Sequence, residues 1–432
     1  MALDLGSRVR RSAFNLLQRA RRTDFHQQVR DICRVATGLT DAEAYQREAF
    51  EQLGRSAAQT EHYRPWAGKP LSKYPVLDKS TLRAAPDTFR SRLHADEELV
   101  QVSTSGSYGV PLTLDLTPKK KRRQLAEVVY FGEWAGYKVG TPHLYVRAHA
   151  PKSRLKLWAQ NEWFSTTNKP TQAWAEKQIG LLRKHRIQAI IGFPSTITQL
   201  AQTARGMDLG PEDFHVRGCI TIGEALRESQ REIVEATFGG HCLSRYTSEE
   251  VGVMAAECPE EHVHHINPAS YIIEILDERD RPVPEGELGR IVVTDLFSNA
   301  MPLIRYDIGD LGVLGSGCAC GRPTPYIARI EGRTIESIVN AEGTVLNPFF
   351  INPIMKSATG IHQFQFSQTA PSTYEMRTVG DPGSDRAQIE ADLRDILGDG
   401  AKLSFRQVEE IPPLPSGKRP YVINEWKRAQ SA

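Results

Sequence analysis

Apolar residues recur at helical spacing through the first part of the chain. Residues 1–60 carry this pattern with few helix breakers, so the segment is predicted to be helical. Residues 63–83 contain three prolines and are predicted to form an extended connection that ends at a helix start. A further amphipathic helix is predicted over residues 119–137, with apolar positions at Leu125, Val128, Val129 and Trp134.

From residue 171 onward, strand-like and helical patterns alternate. The continuous apolar run 187–193 is typical of a strand buried on both faces. Residues 216–223 are predicted to form another buried strand and 240–246 a third strand. Helical patterns precede and separate these strands, giving a βαβαβ order that predicts a parallel sheet with helices packed on its faces. Ligands in such sheets bind at the carboxyl ends of the strands, near Gly192, Ile222 and Tyr246 in this sequence.

After residue 252 the sequence pattern changes and predicts short strands joined by turns. These strands, with 301–306 among them, predict a β-rich subdomain over about 252–330. The last part of the chain reads strand, helix, strand, strand, helix, strand, which is a small ferredoxin-like α+β order. The predicted fold class is therefore α/β, with a large domain over 1–333 that contains parallel sheets and a small domain over 334–432.

Composition restricts the function classes. The chain has 432 residues, 40% hydrophobic and 25% charged, as expected for a soluble globular protein of two or three domains. Its formal net charge of +2 gives no electrostatic argument for nucleic-acid binding. No apolar run reaches the roughly 18 residues of a membrane span, and no signal-peptide core is seen near the start. Six cysteines in this setting predict reduced thiols and a cytoplasmic location.

Two basic runs, 8–22 and 119–123, stand out locally. Each is interpreted first as a solvated helix face. For residues 8–22, a basic amphipathic helix on a membrane surface is the less favoured alternative.

The stretch 102–117 raises the question of phosphate binding. Small hydroxyl residues and glycines there lead into a strand-like alternation. It is not a Walker-type loop, because no Gly-Lys-Ser/Thr ending is present. Taken alone, the stretch fits an ordinary turn as well as a loop whose backbone N–H groups hold phosphate oxygens.

Five segments in sequence order resemble the motifs of adenylate-forming enzymes. The resemblance is to the phenylacetate–CoA ligase-like branch and its relatives in capsule-polysaccharide loci, and it extends from about residue 70 to Lys418. The segments are STSGSYGVP (103–111), TIGEALRESQR (221–231), RYTSEEVG (245–252), PLIRYDIGDLG with CACGRPTPYIARIEGR (302–312 and 318–333), and PPLPSGKRPYVIN (412–424).

The resemblance implies a two-step activity. A carboxylic acid would react with ATP to give an acyl-adenylate and pyrophosphate, and the acyl group would pass to the thiol of coenzyme A or of carrier-protein phosphopantetheine. The large domain would hold the adenylate, and the small C-terminal domain would be mobile. Dimers are common among such enzymes, so a homodimer is an open possibility here.

The same resemblance assigns the triphosphate to the loop that includes Ser103, Thr104, Ser105, Gly106, Ser107 and Gly109. Two departures are visible, since Tyr108 occupies a threonine position and no lysine follows Pro111. Magnesium, together with Lys119 or Lys120, is therefore expected to meet the phosphate charge. The run 119–123, like 8–22, is also available for the phosphates of coenzyme A or for an acidic carrier protein.

The remaining ligand positions follow from the other segments. Adenine would lie against Gly223, Glu224 and Ala225 and stack on Tyr246, which is followed by Thr247. Asp310 would accept hydrogen bonds from the ribose hydroxyls, a role suited to a carboxylate. Arg333 would reach the ribose or a phosphate, and Lys418 would stabilise the transition state as a point charge.

Glu250 is the predicted magnesium ligand, because a hard dication that bridges phosphates prefers a carboxylate. The tandem with Glu249 leaves the register between the two residues open. The pocket for the acid is expected to include Phe193, Pro194, Tyr137 and Ile222, with Trp134 as a further candidate, and this apolar set suits an aryl acid.

A zinc site is predicted from Cys258, Cys318, Cys320 and a histidine. His262, His264 and His265 are all available by spacing, and the resemblance favours His265. Four protein ligands leave no open position, so the zinc would be structural. Reduced thiols without metal are the alternative.

Two other functions stay open at the sequence level. One is adenylation followed by transfer to an amine. The other is a nucleotide-binding relative without catalytic activity, although the presence of Lys418 argues against it.

Overall fold

The structure, a computed structural model, divides into two compact units. They comprise residues 1–330 and 331–432. The described residues are 5–103, 113–146, 152–165, 172–331, 338–343, 345–346, 351–356, 360–381, 383, 385–412 and 421–430. The predicted domain boundary after residue 333 falls outside these residues and stays a prediction.

The described part of the first unit contains nine α-helices. Their bounds are α1 Leu5–Ala20, α2 Phe25–Ala36, α3 Ala42–Ala57, α4 Lys79–Ala84, α5 Pro118–Gly132, α6 Arg154–Gln160, α7 Gln172–Lys184, α8 Pro194–Gly206 and α9 Glu228–Phe238. Side chains cap several of them, as where Asp78 accepts a hydrogen bond from the Thr81 N–H at the start of α4 (2.8 Å). Among the described helices, none combines the length and apolar character that a membrane span requires.

The strands of the first unit include those predicted from continuous apolar runs. Their bounds are β1 Val100–Ser103, β2 Thr113–Leu116, β3 His143–Val146, β4 Glu162–Ser165, β5 Ala189–Gly192, β6 Gly218–Ile222, β7 His241–Ser248, β8 Gly252–Glu257, β9 His264–Ile266, β10 Tyr271–Leu276, β11 Leu288–Asp295, β12 Tyr306–Gly315 and β13 Tyr326–Glu331. β1 and β2 pair antiparallel, with Ser103 opposite Thr113, on either side of the predicted phosphate loop.

One eleven-stranded sheet dominates this unit, in the order β10-β11-β12-β13-β9-β8-β7-β6-β5-β3-β4. The strands from β7 to β4 are parallel to one another. The pairs β7–β8, β8–β9 and β9–β13 are antiparallel. The strands predicted between residues 252 and 330 therefore extend the parallel sheet rather than forming a separate one, and the mixed α/β class with a large sheet is confirmed.

The sequence prediction was wrong for one strand and missed others, among them β3, β4 and β13. Residues 301–305 form turns rather than a strand, and Arg305 has a φ of 50°, which is incompatible with extended backbone. The Arg305 side chain is buried and paired with Glu274 at 3.1 Å, so this segment is buried by a local turn. β3 and β4 were not predicted, since each has only four residues and begins with a polar side chain.

Different apolar clusters cover the two faces of the parallel strands. On one face, Ile190 and Cys219 pack with residues of α7, α8 and α9. On the other face, Ile191, Ile220 and Leu243 pack near Tyr137. This alternation is that of strands buried on both sides, and it places the predicted acid pocket on the second face.

The second unit has its own core around a four-stranded sheet in the order β18-β17-β16-β19. Its elements are β14 Ile338–Val339, β15 Val345–Leu346, α10 Ile351–Lys356, β16 Ile361–Ala370, β17 Thr373–Gly380, α11 Asp385–Leu397, β18 Lys402–Gln407, β19 Val422–Asn424 and α12 Glu425–Gln430. The run from β15 to β18 follows the predicted order of elements, but β15 pairs with β14 outside the four-stranded sheet. The ferredoxin-like arrangement stays a prediction.

Candidate active site

Part of the predicted site lies outside the described residues. This applies to Thr104, Ser105, Gly106, Ser107 and Gly109 of the loop, and to Arg333 and Lys418. Ser103 ends β1, next to the loop. The roles of these residues stay predictions, and the geometry below comes from the described residues.

The strand-to-helix turns after β5 and β6 are packed against each other. Gly223 has a φ of 76°, and a Cβ there would lie 2.8 Å from the Phe193 ring, so a residue with a side chain would be strained and crowded. The Glu224 carboxylate accepts hydrogen bonds from the backbone N–H and the hydroxyl of Ser195, at 3.2 and 3.1 Å. Glu224 thereby holds the first turn of α8, next to Pro194, and the turn through Ala225 is fixed relative to Phe193.

Tyr246 and Asp310 meet although they lie on distant strands of the sheet. The Tyr246 hydroxyl donates a hydrogen bond of 2.7 Å to Asp310 Oδ2. Both residues are only partly buried. The residues predicted for adenine and for ribose are thus neighbours, as an adenosine site requires.

Glu250 lies at the turn between β7 and β8 and is buried, whereas Glu249 is exposed. Glu250 Oε1 lies 3.1 Å from Lys79 Nζ, and the Tyr306 hydroxyl donates to the same oxygen at 3.3 Å. Burial raises the pKa of Glu250, but the Lys79 ammonium and hydrogen bonds outweigh this effect, so the pKa lies below its ordinary value. The result is a buried carboxylate that stays ionised.

Lys79 reaches this position because the chain before it is attached to β12. Leu77 donates its N–H to the Arg305 carbonyl at 2.9 Å and accepts from the Asp307 N–H at 2.8 Å. Lys79 then begins α4, and its ammonium lies 5.7 Å from the centre of the Tyr306 ring. A lysine far from Glu250 in sequence is thereby placed beside the predicted metal ligand.

A second cluster of charged residues contacts the segment that follows Glu250, at the start of β8. We call this cluster the Lys120 network. It consists of Lys120, Arg123, Glu127, Tyr271 and Asp295, all of them buried. Lys120 pairs with Asp295 at 2.6 Å. Arg123 donates to the Ser270 hydroxyl at 2.8 Å. Lys120 and Arg123 are therefore engaged inside the protein, so of the two lysines predicted to meet the phosphate charge, Lys120 is excluded and the exposed Lys119 stays a prediction.

The Lys120 network contacts the backbone on the C-terminal side of Glu250. The Tyr271 hydroxyl lies 2.8 Å from the Val251 carbonyl oxygen. Glu127 accepts a hydrogen bond of 3.0 Å from the Val253 N–H. These two contacts hold the start of β8 and, with it, the turn that carries Glu250.

The predicted acid pocket has an apolar wall with one buried cation. Tyr137 and Ile222 pack on the cluster around Leu243. Burial raises the pKa of Tyr137 to about 12. Arg245 is also buried, and its Nη2 donates to the Val128 carbonyl at 3.2 Å. Burial lowers the pKa of Arg245 to about 10.

Gly132 makes room for both the tyrosine and the arginine of this wall. A Cβ at this position would lie 2.7 Å from the Tyr137 ring and 2.9 Å from Arg245 Nη2. Trp134, the further candidate for the pocket, lies toward the cysteine cluster, where the Arg322 guanidinium is 4.1 Å from the centre of its ring.

Cys258, His265, Cys318 and Cys320 come together as predicted, with all four ligand atoms within 4.8 Å of one another. Cys258 Sγ and Cys318 Sγ are 3.8 Å apart. That separation matches two thiolates on a tetrahedral zinc, since Zn–S bonds of about 2.3 Å place the sulfurs about 3.8 Å apart.

His265 offers Nε2 to this cluster, 3.2 Å from Cys320 Sγ, while its Nδ1 lies 2.9 Å from the Thr324 hydroxyl. A hydrogen bond at the second ring nitrogen is the usual way in which a zinc histidine is oriented. Of the three histidines considered, His265 is therefore the one in the cluster, and the three-cysteine, one-histidine set fits zinc.

The fold is shared with solved structures, two of which are representative. A 2-hydroxyisobutyryl-CoA ligase in the postadenylation state, in complex with R3-HIB-AMP, matches with a TM-score of 0.71 at 17% identity over 90% of each chain. ATP-bound MatB from Rhodopseudomonas palustris matches with a TM-score of 0.53 at 20% identity, over 74% of this chain and 65% of that one. At these identities the likeness is one of fold.

Sequence relatives narrow the assignment. The chain is 32% identical to a phenylacetate-coenzyme A ligase of Thermus thermophilus over 280 residues, which is 62% of each protein. It is 29% identical to a phenylacetate-coenzyme A ligase of Pseudomonas putida, over 83% of this chain and 77% of that protein. It is 22% identical to Protein CapK of Staphylococcus aureus, over 83% and 81%. No family model matches the chain. In sequence, the chain is similar to members of the phenylacetate–CoA ligase-like branch of the adenylate-forming superfamily.

Two residues of this candidate site were missed by sequence reasoning. Lys79 carried only one signal, its place at the start of a helix directly after a proline-rich extended segment. Arg245 carried another, a charged residue at the end of an otherwise buried strand, directly before Tyr246. Both signals are weak, because each is also common at surface positions.

Proposed function

We propose that the protein is an AMP-forming acid–thiol ligase. It would react a carboxylic acid with ATP to give an acyl-adenylate and pyrophosphate, and then transfer the acyl group to a thiol, with AMP as the leaving group. Two observations carry this proposal: the hydrogen bond from Tyr246 to Asp310, and the buried, ionised Glu250 in the turn that follows β7, the strand of Tyr246.

In this proposal Asp310 accepts the ribose hydroxyls and Tyr246 stacks on adenine. The backbone of Gly223–Ala225 lines the base, because the Glu224 side chain is engaged with α8. Glu250 fits a magnesium ion, since a carboxylate that stays ionised when buried suits a hard dication. When bound, magnesium would neutralise triphosphate charge.

Lys79 adds a positive charge beside Glu250. In-line attack on phosphorus depends on positioning and charge neutralisation more than on a covalent nucleophile. Lys79 thus provides part of the phosphate charge compensation that the loop lacks, since no lysine follows Pro111. Resemblance assigns the triphosphate contact to the loop, and further contacts to Arg333 and Lys418.

The substrate class proposed is an aryl acid, bound between Tyr137, Ile222, Phe193 and Pro194. The acceptor is the thiol of coenzyme A or of a carrier protein, and the C-terminal unit is proposed to act as a mobile, ferredoxin-like lid. A homodimer and a cytoplasmic location belong to the same proposal.

The experiment is an assay of pyrophosphate release with a panel of aryl and aliphatic acids, without and with coenzyme A. We expect acid-dependent pyrophosphate release with an aryl acid, and formation of the acyl-CoA thioester with release of AMP when coenzyme A is added. If the acyl group is transferred only to added amines, giving an amide, the acceptor in the proposal is an amine instead of a thiol. ATP binding without turnover of any acid would overturn the ligase proposal.

The cysteine cluster is proposed to hold a structural zinc, with Cys258, His265, Cys318 and Cys320 as the four ligands. Purified protein is expected to contain close to one zinc per chain by metal analysis, and Cys318→Ser is expected to lose it. Cys33→Ser is the control, because Cys33 lies outside the cluster. A zinc content below half an equivalent in the wild type would refute the site.

A further inference from the structure

Helix α1 turns its large apolar residues toward solvent. The side chains of Leu5, Val9 and Leu16 are 78%, 61% and 68% exposed. With about 3.6 residues per turn, the three lie within an arc of about 40° on the helix. A helix of a globular protein normally packs such a stripe against the core, so α1 has the reverse orientation.

The orientation is set by specific contacts on the opposite side of α1. Ser7 is buried against Gly140, where a Cβ would lie 2.5 Å from the Ser7 carbonyl oxygen. Arg11 pairs with Glu133 at 3.6 Å. Because these contacts fix the packed face, the apolar stripe has to face outward.

Positive charge borders the stripe on one side. Residues 5–22 contain six arginines and no acidic residue. On the helix surface, Arg8 and Arg19 flank the stripe on the side of Leu5, whereas Arg10 lies about 100° from Val9, toward the packed face. Apart from Arg11, none of the six forms an ion pair with a described carboxylate.

Helix α6 extends this surface next to α1. Leu155 and Trp158 are 75% and 67% exposed. Arg10 Nε donates to the Trp158 carbonyl at 3.3 Å, and its guanidinium lies 5.4 Å from the ring centre. Tryptophan is enriched where an apolar phase meets water. We call the surface formed by Leu5, Val9, Leu16, Leu155 and Trp158, with the bordering arginines, the α1–α6 patch.

We propose that the α1–α6 patch binds the surface of a bilayer that contains anionic phospholipids. The leucines, the valine and Trp158 would enter the headgroup boundary, and the arginines would meet lipid phosphates. Interfacial helices have this combination of an apolar face and basic flanks. A second copy of the chain fits less well, because pairing two patches would bring arginines together in a setting without acidic partners.

The test is flotation of the full chain with vesicles of phosphatidylcholine alone and with vesicles that also contain phosphatidylglycerol. We expect binding only to the anionic vesicles, weakened by added salt. Arg8→Gln with Arg19→Gln is expected to lower the partition coefficient roughly 25-fold, about fivefold for each charge. Leu5→Ser, Val9→Ser and Leu16→Ser together are expected to lower it by at least roughly a hundredfold.

Matched controls use exposed residues elsewhere on the same unit. Leu39→Ser with Leu93→Ser removes two leucines that are 70% and 57% exposed. Arg205→Gln with Arg279→Gln removes two exposed charges. Both controls are expected to bind like the wild type.

Absence of wild-type binding to anionic vesicles would overturn the proposal, as would full binding by the triple variant. If sedimentation instead shows a dimer that the triple variant abolishes, without vesicle binding, the patch is a self-association surface and the proposal is wrong. The readout is binding, so the outcome is independent of the proposed enzymatic activity.

Discussion

Two buried ion pairs are associated with the turn between β7 and β8, and their side chains differ in solvent exposure. In the Lys79–Glu250 pair, the lysine side chain is 21% exposed and the nitrogen–oxygen distance is 3.1 Å. In the Lys120–Asp295 pair, both side chains have no exposure and the distance is 2.6 Å. Both pairs combine a lysine near the start of a helix with a carboxylate of the large sheet region.

This difference in exposure indicates that the Lys79–Glu250 pair serves ligand binding and that the Lys120–Asp295 pair supports the fold. Glu250 is held ionised at a position from which Lys79 still reaches solvent, so a ligand can exchange with the pair. The Lys120–Asp295 pair contacts only protein among the described residues, and its neighbours Glu127 and Tyr271 hold the backbone after Glu250. Residue type alone would have suggested the opposite, because Lys120 belongs to the most basic run of the sequence.

The largest expected effect is on stability and comes from Lys120→Met. Removing one partner of a buried pair leaves an uncompensated charge, which costs about 3–5 kcal/mol. Urea unfolding of the full chain measures the loss of unfolding free energy. Lys119→Met is the control, since Lys119 is the exposed neighbour on α5, and its effect should stay within about 0.5 kcal/mol.

A double variant sharpens this prediction. Lys120→Met combined with Asp295→Leu removes both charges, and apolar replacement of a buried pair is often close to neutral. We expect the double variant to be more stable than Lys120→Met alone. Equal unfolding of Lys120→Met and Lys119→Met would show that the Lys120 network does not support the fold.

Glu250→Gln is expected to act on catalysis. Loss of one group that stabilises charge in a transition state lowers the rate about 10²–10³-fold. Acid-dependent pyrophosphate release measures this effect, and Glu249→Gln is the matched control because Glu249 is exposed. Comparable rates for the two variants would remove Glu250 from the proposed metal site.

The smallest expected effect is a pH dependence of stability. The native pKa of Glu250 lies below its ordinary value. Its stabilising contribution is therefore present above the ordinary glutamate pKa of about 4.3 and is lost as pH falls through the lower native pKa. Unfolding free energies of wild type and Glu250→Gln should differ at neutral pH and converge in acid. A difference that persists unchanged in acid would contradict the ionised state of Glu250.

The elements most accurately predicted from sequence were the long or continuously apolar ones. β5 was predicted because strands buried on both faces have continuous apolar runs, and β6 and β7 followed from the alternation of strands and helices. The segment 301–305 was misread for a related reason, since its apolar residues are buried by a turn that places Arg305 beside Glu274. A local apolar run reports burial and does not by itself report backbone conformation.

Sequence analysis predicted individual residues of the candidate site better than it predicted their spatial arrangement. The cysteine cluster assembles from two segments that are about 60 residues apart, and the fold brings into it His265, the histidine that the resemblance favoured. Lys79 was not predicted at all, because its role depends on the bridge between Leu77 and β12.

By itself, the sequence determined the parallel βαβαβ region, the family resemblance and the types of residue present at the site. These features depend on local periodicity and on short motifs, both of which are visible in short stretches of sequence. The tertiary structure decided which charged side chains are fully buried and which are accessible to solvent. It places Lys120 in the interior and Lys79 beside Glu250. It also decided that α1 shows its apolar stripe to solvent, since the contact of Ser7 with Gly140 comes from a distant part of the chain. Burial and pairing arise from contacts between remote segments, and local sequence does not contain them.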